Sequence, residues 1–138
     1  NQSKSVRGVL RGLHYQTGDF QQAKLVRVVS GEVLDVAVDL RRDQASFGQW
    51  FGVVLSEKNK QQLYIPRGFA HGFLVLSATA EFLYKTDNYY SRTHEAGIRY
   101  DDPSLGIDWN FPLTDIVLSD KDKELPLLGQ HTEIQHRS

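Results

Sequence analysis

The sequence predicts an all-β sandwich or barrel with short helices or none. Several segments between residues 23 and 88 alternate apolar and polar side chains with a period of two. Short clusters of turn-forming residues separate them. No stretch of helical length repeats its apolar residues every 3.6 positions.

RGLHYQ (11–16) is a strand-like run that carries His14. AKLVRVVS (23–30) is a second strand, and Gly31-Glu32 is a hairpin turn into VLDVAVDL (33–40). That third strand sets Leu34, Val36, Val38 and Leu40 on an apolar face and Asp35, Ala37 and Asp39 on a polar one. RRDQASFG is turn-like, QWFGVVLS (49–56) is a strand, and SEKNK is a turn in which EKNK makes one helical turn at most. QQLYIP (61–66), HGFLVLS (71–77) and AEFLYKTDN (80–88) are further strands, joined by PRGFA and SATA. After Tyr90 the alternation weakens. YDDPSLGIDWNFP (100–112) is a loop anchored by Trp109 and Phe111, and about 130–138 is a polar, frayed tail.

The 138 residues suit a single domain, 1–138, with one core. Net charge is −1 and the basic residues are dispersed, so no nucleic-acid face is expected. No run approaches the ~18 apolar residues of a membrane-spanning helix. There is no cysteine, hence no disulfide or thiol chemistry. With no charged-then-apolar leader visible, the expected location is cytoplasmic. There is no methionine, and the chain opens on NQSKS. A segment preceding Asn1 in the full protein is therefore expected.

Taken alone, His14 reads as a hydrogen-bonded core histidine and Lys24 as a solvated strand lysine. Their setting changes that. The spacing Gly8-x5-His14, followed by Pro66-x-Gly68-x2-His71, resembles the two signatures of the cupins, small jelly-roll barrels. In metal-binding cupins a second histidine and a glutamate complete the first signature. Here Gln16 and Lys24 stand at those positions. A metal needs several deprotonated donors, and an ammonium repels it. No metal site is expected. Lys24 instead supplies the fixed positive charge, suited to an oxyanion.

GVLRGLHYQ, AKLVRVVSGEVLDVAVDLRRDQASFGQW, IPRGFAHGF, AEFLYKTDNYYS and LSDKD together resemble the dTDP-4-dehydrorhamnose 3,5-epimerase family, from Asn1 to about Gly129. The resemblance implies a homodimer of jelly-roll subunits that inverts carbons 3 and 5 of a 4-keto-6-deoxy sugar on dTDP, toward dTDP-L-rhamnose, with no metal and no dissociable cofactor. It also implies a strand-forming segment before NQSKS that serves the dimer and the nucleotide site.

Epimerisation beside a ketone needs a base on one face, an acid on the other and a cation at the carbonyl oxygen. The resemblance assigns His14 as base, Asp122 as its dyad partner, Tyr84 as proton donor and Lys24 as the enolate's cation. From spacing alone, Asp120 competes with Asp122. His71 matches a substrate-binding histidine, with Asp35 as its candidate orienting partner. Arg11 matches a diphosphate ligand, its guanidinium suited to paired oxygen contacts. Strand alternation pairs Arg11 with Leu13 rather than His14, so a bend at Gly8 or Gly12 is expected. Lys121, Glu95 and Asn1 match further ligand positions, and Tyr90 resembles the aromatic that stacks on thymine.

Four alternatives stand beside this reading. Single-site 3- or 5-epimerases share the same base, acid and lysine. A ketoisomerase is disfavoured by Tyr84 together with LSDKD. A non-catalytic sugar-nucleotide-binding cupin predicts loss of the base or the acid. A metal-dependent oxygenase is weaker still, given Gln16 and Lys24.

Overall fold

A computed structural model describes residues 2–134. Asn1 and the last four residues lie outside the described range. Two antiparallel sheets form a sandwich, with the strands β1 (Gln2–Val6), β2 (Leu10–Gln16), β3 (Lys24–Ser30), β4 (Glu32–Asp39), β5 (Trp50–Ser56), β6 (Gln62–Ile65), β7 (Phe69–Val75), β8 (Thr79–Thr86) and β9 (Glu95–Gly97). One sheet has the order β1-β8-β3-β6 and the other β5-β4-β7-β2-β9. The only α-helix among the described residues is the four-residue α1 (Asp120–Lys123), inside LSDKD.

The jelly-roll expectation agrees with this nearly all-β architecture. Several details differ from the sequence reading. Gly31-Glu32 is not a hairpin turn but a crossing between sheets, since β3 pairs with β6 and β8 while β4 pairs with β5 and β7. Gln2–Val6 is a strand, paired with β8 from Gln2↔Leu83 to Val6↔Thr79. And β4 has no solvent face. Its Leu34, Val36, Val38 and Leu40 row packs with Leu10, Leu13, Tyr15, Leu74, Ile98, Leu105 and Trp109 under the C-terminal segment. The row read as polar faces between the sheets, where Val33 and Ala37 join Val26, Val28, Leu55, Phe73 and Phe82. Covering one sheet face with irregular chain makes both rows interior. Asp35 and Asp39 are consequently buried and carry dedicated partners.

The tail read as polar and frayed is anchored over 131–134. His131 and Ile134 are buried. The Tyr15 hydroxyl donates to the Thr132 carbonyl at 2.6 Å, and the Gly18 N–H donates to the Ile134 carbonyl at 2.8 Å. Gln135–Ser138 fall outside the described residues.

Candidate active site

The site is built between the sheets, and a bulge in β2 makes it. Leu10 pairs Leu74 and Arg11 pairs Phe73, but His14 pairs His71, one residue out of register. The extra residue reverses strand parity. Leu13 and Tyr15 join Leu10 on the outer, packed face, while His14 joins Arg11 on the cavity face. The parity conflict at Arg11 is resolved by this bulge. Gly12 permits it, with φ +125°, and it passes so close to β7 that a Cβ there would lie 2.8 Å from Gly72 Cα.

The bulge also orients the acid. Gly12 N–H donates to Asp122 Oδ2 at 3.0 Å, and His14 Nε2 lies 2.6 Å from Asp122 Oδ1. Ser119 caps α1 by accepting the Asp122 N–H at 3.2 Å, which seats the aspartate. Asp122 is 3% exposed, whereas the Asp120 side chain is fully in solvent, so the structure distinguishes the two. Burial pushes the Asp122 carboxyl up, but the hydrogen bond and charge of His14 and the Gly12 N–H outweigh it and hold it below the usual range. A carboxylate only accepts, so His14 Nε2 carries the hydrogen, and in the neutral form of the ring Nδ1 is the basic nitrogen.

A second pair repeats the arrangement. His71, cross-strand neighbour of His14, has Nε2 2.6 Å from Asp35 Oδ1, and both residues are buried. Burial lowers the His71 pKa, Asp35 pulls it back, and the charges of Lys24 and His14 push it down again, the net effect favouring the neutral ring. Asp35 Oδ2 is buried and without a hydrogen-bond partner among the described residues.

Across the gap, β3 and β8 present Lys24 and Tyr84. Lys24 Nζ sits 5.9 Å from the centroid of the Tyr84 ring. Burial lowers the Lys24 pKa, with Asp35 and Glu95 opposing the shift. His14, Lys24 and Tyr84 line two adjoining cavities. The larger, about 370 Å³, adds Arg11, His71, Gln2, Ser3, Phe73 and Phe82. The smaller, about 120 Å³, adds Gln16, Gln22, Phe69, Tyr90, Glu95 and Ile134. Of the two, Arg11 lines only the larger cavity and Tyr90 only the smaller.

Tyr90 is exposed at the rim, where its hydroxyl donates to Glu95 Oε2 at 2.8 Å. Lys121 Nζ binds the same oxygen. Burial raises the Glu95 carboxyl, but the hydrogen bonds from Lys121 and Tyr90 win and hold it low. Among the described residues no group of three or more metal-ligating side chains converges. Gln16 Oε1 accepts the Ser91 N–H at 3.0 Å.

Phe73, Phe82, Gln22 and Ile134 were not singled out from the sequence. Phe73 and Phe82 stack at 4.5 Å as the floor of the larger cavity. Their signal was present: Phe73 is two residues from His71 and Phe82 two from Tyr84, hence on the same strand faces. Gln22 and Ile134 carried no such signal.

Known proteins resemble the chain along nearly its whole length. A family model described as dTDP-4-dehydrorhamnose 3,5-epimerase matches residues 1–130. A dTDP-4-dehydrorhamnose 3,5-epimerase from Shigella flexneri is 59% identical over 122 residues, covering 88% of this chain and 66% of that protein. The chain thus spans about two thirds of the length of that relative. The crystal structure of a dTDP-4-dehydrorhamnose 3,5-epimerase from Elizabethkingia anophelis superposes with a TM-score of 0.92 at 53% identity, over 94% of this chain and 71% of that one. A dTDP-6-deoxy-D-glucose-3,5-epimerase from Legionella pneumophila, solved in complex with dTDP-4-keto-L-rhamnose, superposes at 0.93 with 50% identity, over 100% of this chain and 74% of that one.

Proposed function

The chain belongs to the dTDP-4-dehydrorhamnose 3,5-epimerase family, and on that basis we propose that it inverts carbons 3 and 5 of dTDP-4-dehydro-6-deoxy-D-glucose, giving dTDP-4-dehydro-L-rhamnose for rhamnose biosynthesis. The observation that carries the reading is the His14–Asp122 dyad facing Lys24 and Tyr84 over one shared junction.

The hydrogens on carbons 3 and 5 of the starting sugar are both axial on one ring face. One base therefore serves both. His14 Nδ1 takes the proton, and Asp122 holds the ring and balances the imidazolium that forms. Negative charge moves to the oxygen on carbon 4, where the Lys24 ammonium stabilises it. Tyr84 returns a proton from the opposite face. The neutral His71, with Nε2–H on Asp35, offers Nδ1 as an acceptor for a sugar hydroxyl. Arg11 takes the diphosphate, and Tyr90, Glu95 and Lys121 hold the nucleotide end. Asn1 belongs to the same proposed binding set and lies outside the described residues.

The reaction as proposed needs no metal, since Lys24 occupies the position from which a cation would act. A homodimer and a cytoplasmic location complete the proposal. Among the described residues no helix is long and apolar enough to cross a membrane.

The test is proton exchange followed by NMR. The protein is incubated with dTDP-4-keto-6-deoxyglucose in deuterated water, with His14→Ala as control. Deuterium at both carbons, lost in the control, is the expected result. Exchange at one carbon alone would transfer the assignment to a single-site epimerase, and no exchange would leave a binding module.

A further inference from the structure

We propose that Ile134 is a nucleobase-specificity residue, carried to the site by a C-terminal strap and reading the methyl group of thymine. The inference rests on the proposed function for its ligand and goes beyond it in residue and role. The family match ends at residue 130, yet the chain beyond it reaches the smaller cavity.

Residues 131–134 are held at several points. Gly129 N–H donates to His131 Nδ1 at 3.0 Å. Tyr15 OH binds the Thr132 carbonyl, Glu133 pairs with Arg42 at 2.6 Å, and Gly18 N–H binds the Ile134 carbonyl. Tyr15 directly follows His14 along β2, so the strap lies against the back of the strand that bears the base. Ile134 is 2% exposed and lines the smaller cavity.

The chemistry of the two cavities divides the ligand. The larger holds the His71–Asp35 pair and the Phe73–Phe82 floor around Lys24 and Tyr84, which suits the reacting sugar. The smaller has the exposed ring of Tyr90 at its rim and the amides of Gln16 and Gln22 in its wall. An aromatic face with amides beside it suits a pyrimidine. Beside those polar groups, Ile134 and Phe69 are the cavity's purely aliphatic and phenyl surfaces. A thymine ring presents one apolar substituent, its methyl. Seating that methyl against Ile134 separates thymine from uracil with no change in hydrogen bonding.

The experiment is calorimetric titration of the intact chain, and of Ile134→Ala, with dTDP and with dUDP, two ligands that differ by that methyl alone. One methyl in an apolar pocket is worth about 10-fold or more. The intact chain is expected to bind dTDP about 10-fold tighter than dUDP, and the variant to bind both within roughly 2-fold. Ile134→Val, which keeps the strap's apolar plug, gives the second reading if the alanine variant unfolds; its preference falls to an intermediate value. Tyr15→Phe removes the tether to the Thr132 carbonyl while keeping the ring that Tyr15 contributes to the wall, and is expected to weaken both ligands alike. A preference unchanged in Ile134→Ala and Ile134→Val, or equal weakening of both ligands there, overturns the proposal alone. Failure of the intact chain to bind either nucleotide overturns it together with the proposed function.

Discussion

Replacing Asp122 with asparagine removes one charge and almost no volume, yet two donors converge on that side chain. His14 Nε2 lies 2.6 Å from Oδ1, and Gly12 N–H is 3.0 Å from Oδ2. An asparagine has a single acceptor oxygen. If the oxygen faces His14, the amide NH2 meets the Gly12 N–H, and a buried donor loses its acceptor at a cost of about 1–3 kcal/mol. If the NH2 faces His14, Nε2 must accept, the ring hydrogen moves to Nδ1, and the base is lost. The same tautomer error costs about 10⁴-fold in a serine-protease triad, and a general base contributes about 10²–10⁴-fold. Asp122→Asn is therefore expected to slow deuterium exchange at both carbons by at least about 10²-fold, with a melting temperature lower by roughly 3–15 °C.

Acid unfolding carries the same signature. The folded Asp122 pKa is depressed, so its contribution to stability is present above the unfolded value and lost as pH falls through the folded one. That part of the acid curve disappears in the variant. Asp120→Asn is the control, since Asp120 is fully exposed, and it is expected to leave both rate and melting unchanged. A folded Asp122→Asn protein that exchanges within about 10-fold of the intact chain would refute the dyad reasoning.

Gly12→Ala and Gly72→Ala each place a methyl against backbone, with contacts of 2.8 and 2.7 Å. Each is expected to destabilise urea unfolding by about 2 kcal/mol or more and to slow exchange, because the bulge that aims His14 shifts. Lys24→Met is expected to abolish exchange while raising stability by about 1 kcal/mol in thermal melts, since it replaces a half-buried ammonium with an apolar chain of similar shape. The Lys24 pKa is lowered on folding, so the intact chain gains stability as pH rises from the folded toward the unfolded lysine value. The methionine variant lacks that gain. Dialysis against a chelator, followed by addition of zinc or iron(II), is expected to leave the exchange rate unchanged; stimulation by either metal would remove Lys24 from its assigned role.

Strand existence was legible because it rests on local alternation. AKLVRVVS and VLDVAVDL are both strands as their pattern implies, although they pair in different sheets, and Trp109 is a buried anchor in the C-terminal segment. The residue types that suit enolate chemistry were also legible, His14, Lys24 and Tyr84 among them, as was the mismatch between Lys24 and a metal. What alternation by itself does not specify is which side of a strand is dry. The row containing Asp35 reads as solvated, yet it lies between the sheets, because a segment some seventy residues downstream covers the other row.

Tertiary structure alone decided how the pieces meet. The parity of Arg11 and His14 depends on a bulge held by the approach of Gly12 to Gly72, two backbones far apart in sequence. Asp122 rather than Asp120 reaches His14 because Ser119 caps a single helical turn that buries one aspartate and leaves the other in water. Ile134 gained a place in the cavity wall from tethers to Tyr15 and Gly18 that no local pattern encodes. Side-chain chemistry and periodicity are properties of short stretches, and the chain carries them before it folds. Burial, register and convergence depend on residues distant in sequence, and they exist only once the two sheets have closed on each other.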